Sequence, residues 1–123
     1  MTPSRPYLLR AIYSWIIDNG MTPQIVVNAR AQGVELPRAR VENGKMILNI
    51  HPAAVQDLEL GNDTVSFQAR FSGRSMHVLV PVRAVLAIYA RENGKGLVFG
   101  EEPDADLQPP TGKRGGRHLT VVK

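Results

Sequence analysis

Few side chains in this sequence have the types and spacing that enzyme or metal chemistry requires. The histidines His51, His77 and His118 stand apart and have no second histidine or carboxylate beside them at metal-ligand spacing. Cysteine is absent, which excludes disulfides, thiol catalysis and cysteine-based zinc sites. No dinucleotide-binding or P-loop glycine motif occurs. We therefore expect neither an enzyme nor a bound cofactor or metal.

Recognition of an extended peptide is better supported than enzyme or metal chemistry. It is indicated by the stretch TVSFQARF at 64–71. Its apolar and polar residues alternate, which predicts a strand with one buried face. Ala69 is small and stands between Phe67 and Phe71 on the apolar face, so a groove there has room for a peptide chain. The alternative is that these side chains simply fill the protein core.

The last ten residues, RGGRHLTVVK, raise a second possibility of binding. They combine Arg114 and Arg117 with a short apolar stretch that contains Leu119, Val121 and Val122. The preceding residues, 101–113, include three prolines and have no hydrophobic period, which is typical of a flexible linker. The terminal segment is therefore either a last strand that docks back on the fold or a peptide ligand on a tether.

The distribution of charged residues also changes where the predicted linker begins, at residue 101. Residues 1–100 hold 11 basic and 7 acidic residues, residues 101–112 hold four acidic residues only, and residues 113–123 hold four basic residues. Blocks of like charge indicate a solvated tail more often than a folded face. We therefore divide the chain into a domain at 1–100, a linker at 101–113 and a terminal peptide at 114–123.

Residues 4–19 are predicted to form a helix, with Ser4 at its start, Pro6 in its first turn and Gly20 after its end. This helix is apolar on almost every side, and one small domain cannot cover all of it. A homodimer through the helix covers the remainder, because a two-fold axis buries the same stripe twice. The predicted interface residues are Leu8, Ile12, Trp15 and Ile16.

The remaining chain reads mainly as short strands. Strands are predicted at 24–29, 46–50, 64–71, 76–80 and 96–100, with a hairpin turn at Asn43–Gly44 and one irregular turn within 51–60. A second helix is predicted at 81–94, from Pro81 to Gly94. The order of elements predicts an α+β fold with a small bent antiparallel sheet or partly open barrel.

The sequence has no stretch long enough to span a bilayer and no secretory leader, so we expect a cytoplasmic protein. The isoelectric point near 9.9 and the RGG-like tail are also features of RNA-binding modules. Basic residues in the body are dispersed and aromatic residues for base stacking are scarce. A small RNA-binding β-barrel is therefore the alternative, and we do not expect nucleic acid or a membrane as a partner.

The sequence contains, in this order, the stretches RPYLLRAIYSWIIDN, TPQIVV, GKMILNI, FQARFSG, VPVRAVLAIYARENG and the terminal RGGRHLTVVK. Taken together, these stretches resemble the stringent starvation protein B family of bacterial proteolysis adaptors. The resemblance implies a strongly bent antiparallel barrel or sandwich of Sm-like appearance, an N-terminal dimerisation helix and a disordered C-terminal tail. It also implies an adaptor that binds ssrA-tagged proteins and delivers them to the ClpXP protease by tethering to the ClpX unfoldase.

The resemblance also assigns roles to residues of this sequence. It implies a tag-peptide groove around Ala69, with Ile47, Phe67, Gln68, Arg70, Phe71 and Leu97 as the other groove residues. It implies that the terminal peptide docks on the N-terminal domain of ClpX through Arg114, Arg117, Leu119, Val121, Val122 and Lys123. On this interpretation the tail is a ligand on a tether, and the two arginines steer its encounter with the unfoldase.

Overall fold

The computed structural model describes residues 2–38 and 41–100, together with the backbone of 121–122. The helix α1 spans Arg5–Asp18. The first strands are β1 (Pro23–Asn28), β2 (Lys45–Asn49), β3 (Val55–Leu60), β4 (Thr64–Phe71) and β5 (Arg74–Pro81). A short 3-10 helix (Val82–Ala84) follows, and then β6 (Val85–Ala90), β7 (Gly96–Val98) and β8 (Val121–Val122).

The predicted N-terminal helix is confirmed. Ser4 occupies the position before its first turn, and a proline lies within that turn, where a missing backbone N–H removes no helical hydrogen bond. The helix ends at Asn19, whose side-chain Nδ2 donates to the Trp15 carbonyl at 2.7 Å. Gly20 follows with a φ of 71°, a conformation that glycine adopts at little steric cost.

The strands form two antiparallel sheets. One has five strands in the order β2-β1-β6-β7-β8, and the other has three in the order β3-β4-β5. The predicted antiparallel fold with one N-terminal helix is therefore observed among the described residues. A closed barrel is not: no ladder joins the two sheets into one ring within the part of the chain that the structure describes.

Both sheets and the helix share one hydrophobic core. The five-stranded sheet contributes Ile25, Val27 and Ile88, all fully buried, and the three-stranded sheet contributes Val65 and Phe67. The helix adds its buried side to the same cluster through Leu9 and Ile16. The opposite side of the helix is left outside this core.

The predicted hairpin turn at Asn43–Gly44 is confirmed. Both residues have positive φ, 55° and 75°, which is the conformation of a tight two-residue turn. Glu42 and Lys45 exchange backbone hydrogen bonds of 2.9 Å in both directions across it. The turn therefore fixes where β2 begins.

The helix predicted at 81–94 is wrong. Residue 81 ends β5, a single 3-10 turn follows, and Val85–Ala90 forms β6 between β1 and β7. This strand is covered on both faces, with every residue but Tyr89 buried. A strand buried on both faces loses the period-two alternation, and its short apolar run then cannot be distinguished from a buried helical segment by periodicity.

The segment 51–60 contains a turn, as predicted, but also the unpredicted strand β3. The turn lies at its start, where the Ala54 N–H donates to the His51 carbonyl at 2.8 Å. The pairing of β3 with β4 shifts register between Gln56 and Glu59, where Asp57 has a φ of 57°. Such a bulge interrupts the alternation of side chains, so the strand has no regular apolar pattern.

Arg5 connects the start of the helix by hydrogen bonds to the backbone around the start of β6 and just after β7. Its guanidinium is almost completely buried, at 1% exposure. Nη1 donates to the carbonyls of Arg83 and Val85 at 3.1 and 3.0 Å and approaches that of Gly100 at 3.5 Å. The guanidinium carbon also lies 5.1 Å from the centre of the Phe99 ring, within cation–π range.

A search of the described helices for one that could cross a membrane finds none of sufficient length and apolarity.

Candidate functional site

An open groove of about 570 Å³ lies between β2 and β4. We call this cavity the β2–β4 groove. Its residues come mainly from these two strands, with single contributions from β1, the hairpin turn and the segment before β3. They are Val26, Glu42, Lys45, Met46, Ile47, Leu48, Asn49, Ala54, Phe67, Ala69, Arg70 and Phe71.

β2 forms one wall and is the terminal strand of the five-stranded sheet. The Lys45 N–H donates to Glu42, and thus lies on the side opposite β1. Backbone N–H groups alternate along a strand, so the N–H groups of Ile47 and Asn49 lie on that same side. No described strand pairs with β2 beyond the hairpin turn. An extended peptide can therefore bind to this edge as an added strand.

β4 supplies the opposite wall. Phe67 is buried, Ala69 and Phe71 are partly buried, and the intervening Gln68 and Arg70 are exposed. Ala69 is paired with Val55 of β3 and Met76 of β5, so its backbone is held on both sides. The small Ala69 side chain leaves the centre of this wall open.

The groove is apolar inside and charged at its rim. Its apolar residues include Met46, Leu48 and Phe67, and its charged residues are Glu42, Lys45 and Arg70. Such an arrangement has apolar area for the side chains of a peptide and charges at the rim that could orient it. The lining contains no histidine, and no cluster of metal-ligating side chains occurs in the described part of the chain.

Two ionisable groups with shifted pKa values lie outside the groove. The Thr22 backbone N–H and hydroxyl donate to the Glu92 carboxylate at 2.9 and 2.7 Å, and these bonds lower the pKa of Glu92. Burial raises the pKa of Tyr13 on the helix. The Glu92 bonds join the segment after β6 to the residue before β1. Neither Glu92 nor Tyr13 belongs to the groove lining.

Five of the seven residues predicted for the tag groove line the β2–β4 groove: Ile47, Phe67, Ala69, Arg70 and Phe71. Gln68 lies outside the lining; it is exposed on β4 and pairs with His77 of β5. Leu97 lies on β7, where it pairs with Ile88 of β6. The sequence does not reveal the order of strands in the sheet, which separates Leu97 from β2.

The groove also contains residues that the sequence analysis did not identify. The most informative are Met46 and Leu48, which are buried while Ile47 between them is exposed. Their alternation in GKMILNI is a detectable strand signal. Its relevance to binding depends on β2 lying at a sheet edge beside β4, which is a tertiary fact.

The residues predicted for a dimer interface divide between two sides of the helix. Leu8 and Trp15 are exposed at 41% and 46%, and Ile12 between them is partly buried. These three lie four and three residues apart and form one stripe. Ile16 is instead buried in the protein's own core.

The predicted docking peptide is described only in part. The backbone of Val121 and Val122 forms β8, which pairs antiparallel with Leu97 and Gly96. At these two positions the segment is thus a short edge strand. The predicted linker at 101–113 and the docking residues Arg114, Arg117, Leu119 and Lys123 lie outside the described residues.

Comparison with known proteins gives two concordant similarities. The family model described as Stringent starvation protein B matches residues 3–120. A curated relative from Haemophilus influenzae (strain ATCC 51907 / DSM 11121 / KW20 / Rd), named Stringent starvation protein B homolog, is 45% identical over 125 residues. That alignment covers 99% of this chain and 83% of the relative. The similarity therefore extends over the helix, both walls of the groove and the strand β7.

Proposed function

Because the chain belongs to the stringent starvation protein B family, we propose that it is a proteolysis adaptor without enzymatic activity. The proposed substrates are ssrA-tagged proteins in the cytoplasm, and the proposed recipient is the ClpXP protease. The adaptor binds the tag through its folded domain and docks on ClpX through its C-terminal peptide.

The β2–β4 groove is the observation that carries this proposal. An extended tag that binds along β2 forms main-chain hydrogen bonds with the backbone groups of Ile47 and Asn49. Its side chains then contact Met46, Leu48 and Phe67, and burial of apolar area supplies affinity at about 25 cal/mol per Å² before the costs of association. Ala69 supplies the space that the tag backbone needs.

Delivery by tethering accounts for the linker and the terminal peptide. The 13 residues at 101–113 reach at most about 3.3–3.6 Å per residue when extended. A substrate that is bound in the groove is then held close to the unfoldase, at an effective concentration on the order of millimolar. No covalent chemistry is needed for this activity.

The exposed stripe of α1 supports a homodimer as the form that delivers substrate. Leu8, Ile12 and Trp15 offer an apolar surface that a second copy can cover through isologous pairing. A dimer carries two grooves and two terminal peptides, so both tails add to the avidity for the unfoldase ring.

A direct test is a titration of the purified full chain with a fluorescent ssrA peptide, with a scrambled peptide and a single-stranded RNA as parallel ligands. We expect saturable binding of the ssrA peptide and at least tenfold weaker binding of the scrambled peptide. Degradation of an ssrA-tagged reporter by ClpXP, at a reporter concentration below its KM, should increase when the chain is added. Binding of RNA alone would favour the RNA-binding alternative and contradict the adaptor.

A further inference from the structure

The strand β8 forms the end of the five-stranded sheet that is opposite β2, and it lies against the outer edge of β7. On one side β7 pairs with β6, through Gly96↔Tyr89, Leu97↔Ile88 and Val98↔Ala87. On the other side it pairs with β8, through Gly96↔Val122 and Leu97↔Val121. The C-terminal valines thus complete the sheet at an edge that no other described strand covers.

The backbone of β7 is oriented for this pairing. The Phe99 N–H donates to the Leu86 carbonyl at 2.7 Å, so it is directed toward the β6 side. Alternation along the strand then directs the N–H groups of Val98 and Gly96 away from β6. An edge of this kind presents unpaired donors and acceptors that an extended segment can satisfy.

We propose that the β7 edge is a docking site for this chain's own C-terminus, which stores Val121 and Val122 as an edge strand. These valines belong to the peptide that the proposed function assigns to the unfoldase, and the consequence for delivery rests on that assignment. A peptide that is paired with β7 has its backbone groups engaged. Storage on β7 and docking on the unfoldase therefore compete for the same residues.

The pairing is weak enough to be reversible. Within the described residues, two residues of β8 are paired, and the pairing joins positions that are separated by the 20 residues numbered 101–120. Closing a loop has an entropic cost that grows with its length, and a two-residue ladder provides few hydrogen bonds to offset it. A partner that offers a larger contact can take the tail from β7.

Storage of the tail leaves the proposed tag site open. β8 adds to the sheet beyond β7, whereas the β2–β4 groove uses the opposite terminal strand. A substrate can therefore bind while the tail is stored. The tail is then released by the unfoldase and not by the substrate.

The absence of cysteine from the chain permits a clean test by disulfide trapping. Leu97→Cys combined with Val121→Cys places two thiols at directly paired positions, where cross-strand Cβ atoms lie within disulfide range. The matched control combines Ile47→Cys on β2 with the same Val121→Cys. We expect the 97/121 pair to form an intrachain disulfide at least tenfold faster than the 47/121 pair, in dilute protein under mild oxidation.

Comparable rates for the two pairs would overturn docking on β7, and disulfides between chains would overturn docking of the chain's own tail. Delivery gives a second comparison. The oxidised 97/121 protein should deliver a tagged reporter at least fivefold more slowly than the same protein after reduction, which is the reference because Val121 belongs to the proposed docking peptide. Undiminished delivery by the locked protein would refute the competition. Failure of the unmodified chain to deliver contradicts the proposed function instead, and the oxidation rates still decide whether the tail docks on β7.

Discussion

At the scale of single residues, Ala69 is a position where the proposed binding of the tag depends on a small side chain. We predict that Ala69→Gln lowers the affinity for an ssrA peptide at least tenfold, because a long polar side chain fills the centre of the groove. Overfilling a packed site costs about 1–3 kcal/mol, and about 1.4 kcal/mol corresponds to a factor of ten. Peptide titration measures the affinity.

Gln68→Ala is the matched control for this substitution. Gln68 is the neighbouring residue on β4 but lies outside the groove lining, so its removal should change the peptide affinity less than twofold. Melting curves should show both variants folded. Equal loss of affinity in the two variants would contradict the location of the tag site.

Arg5 is the residue whose loss should most weaken the attachment of α1. Arg5→Ala removes a buried donor from the carbonyls of Arg83 and Val85, and a buried acceptor that is left unsatisfied costs about 1–3 kcal/mol. We expect a decrease of at least this size in the free energy of unfolding, measured in urea. Arg91→Ala, at an exposed position, should change it by less than about 0.5 kcal/mol; equal effects would contradict the role of Arg5.

At the scale of elements, Gly96 allows β7 to lie close against β6. A Cβ added at this position would collide with the Ile88 carbonyl oxygen and with the Tyr89 backbone, neither of which can move without disturbing the central strand. We predict that Gly96→Ala destabilises the fold by about 1–3 kcal/mol, as overpacking does.

Val98→Ala is the comparison on the same strand. The Val98 side chain is 47% exposed, so its truncation should cost less than about 1 kcal/mol. Thermal melts and amide exchange of β6 report the difference. If Gly96→Ala changed neither the melting temperature nor the amide exchange of β6, β7 would be able to shift without cost.

Elements with local causes could be predicted from the sequence. The Asn43–Gly44 turn depends on the φ preferences of two residues, and α1 depends on proline and glycine at its ends. β6 could not be predicted, because the burial of its faces comes from elements outside its own sheet, among them α1, which packs against it from residues 5–18. The β4 wall of the groove followed from its alternation, whereas the β2 wall depends on strand order.

At the scale of the whole molecule, the exposed stripe of α1 is the surface through which we propose that two copies associate. We predict that Trp15→Asp yields a folded monomer, because a carboxylate is costly to bury at an apolar interface but is solvated on an exposed face. Sedimentation velocity measures the change from dimer to monomer, and circular dichroism verifies the fold. The control variant Ser14→Asp, also at an exposed position of α1, should remain dimeric. If the unmodified protein is itself a monomer, the proposed interface is contradicted.

We predict that removal of the C-terminal tail leaves the stability of the molecule unchanged but abolishes delivery of substrate. A chain that ends at Asp106 loses the two-residue β8 ladder, whose hydrogen bonds are worth about 0.5–1.5 kcal/mol each. In the full chain, the free energy that these hydrogen bonds contribute is offset by an entropic cost of about 2–3 kcal/mol for closing a loop of about 20 residues. We therefore expect the shortened chain to melt within about 2 °C of the full chain and to bind the ssrA peptide with equal affinity.

Delivery should depend on the residues that the shortened chain lacks. With a tagged reporter at limiting concentration, its degradation by ClpXP should fall to the rate without adaptor, and a synthetic peptide of residues 114–123 should inhibit the full chain in trans. Leu119→Asp should reproduce the loss, since burying a charge at an apolar contact costs more than the lost contact area. Neutralising Arg114 and Arg117 should mainly slow association and reduce its salt dependence. A shortened chain that still accelerates degradation would place the unfoldase contact in the folded domain instead.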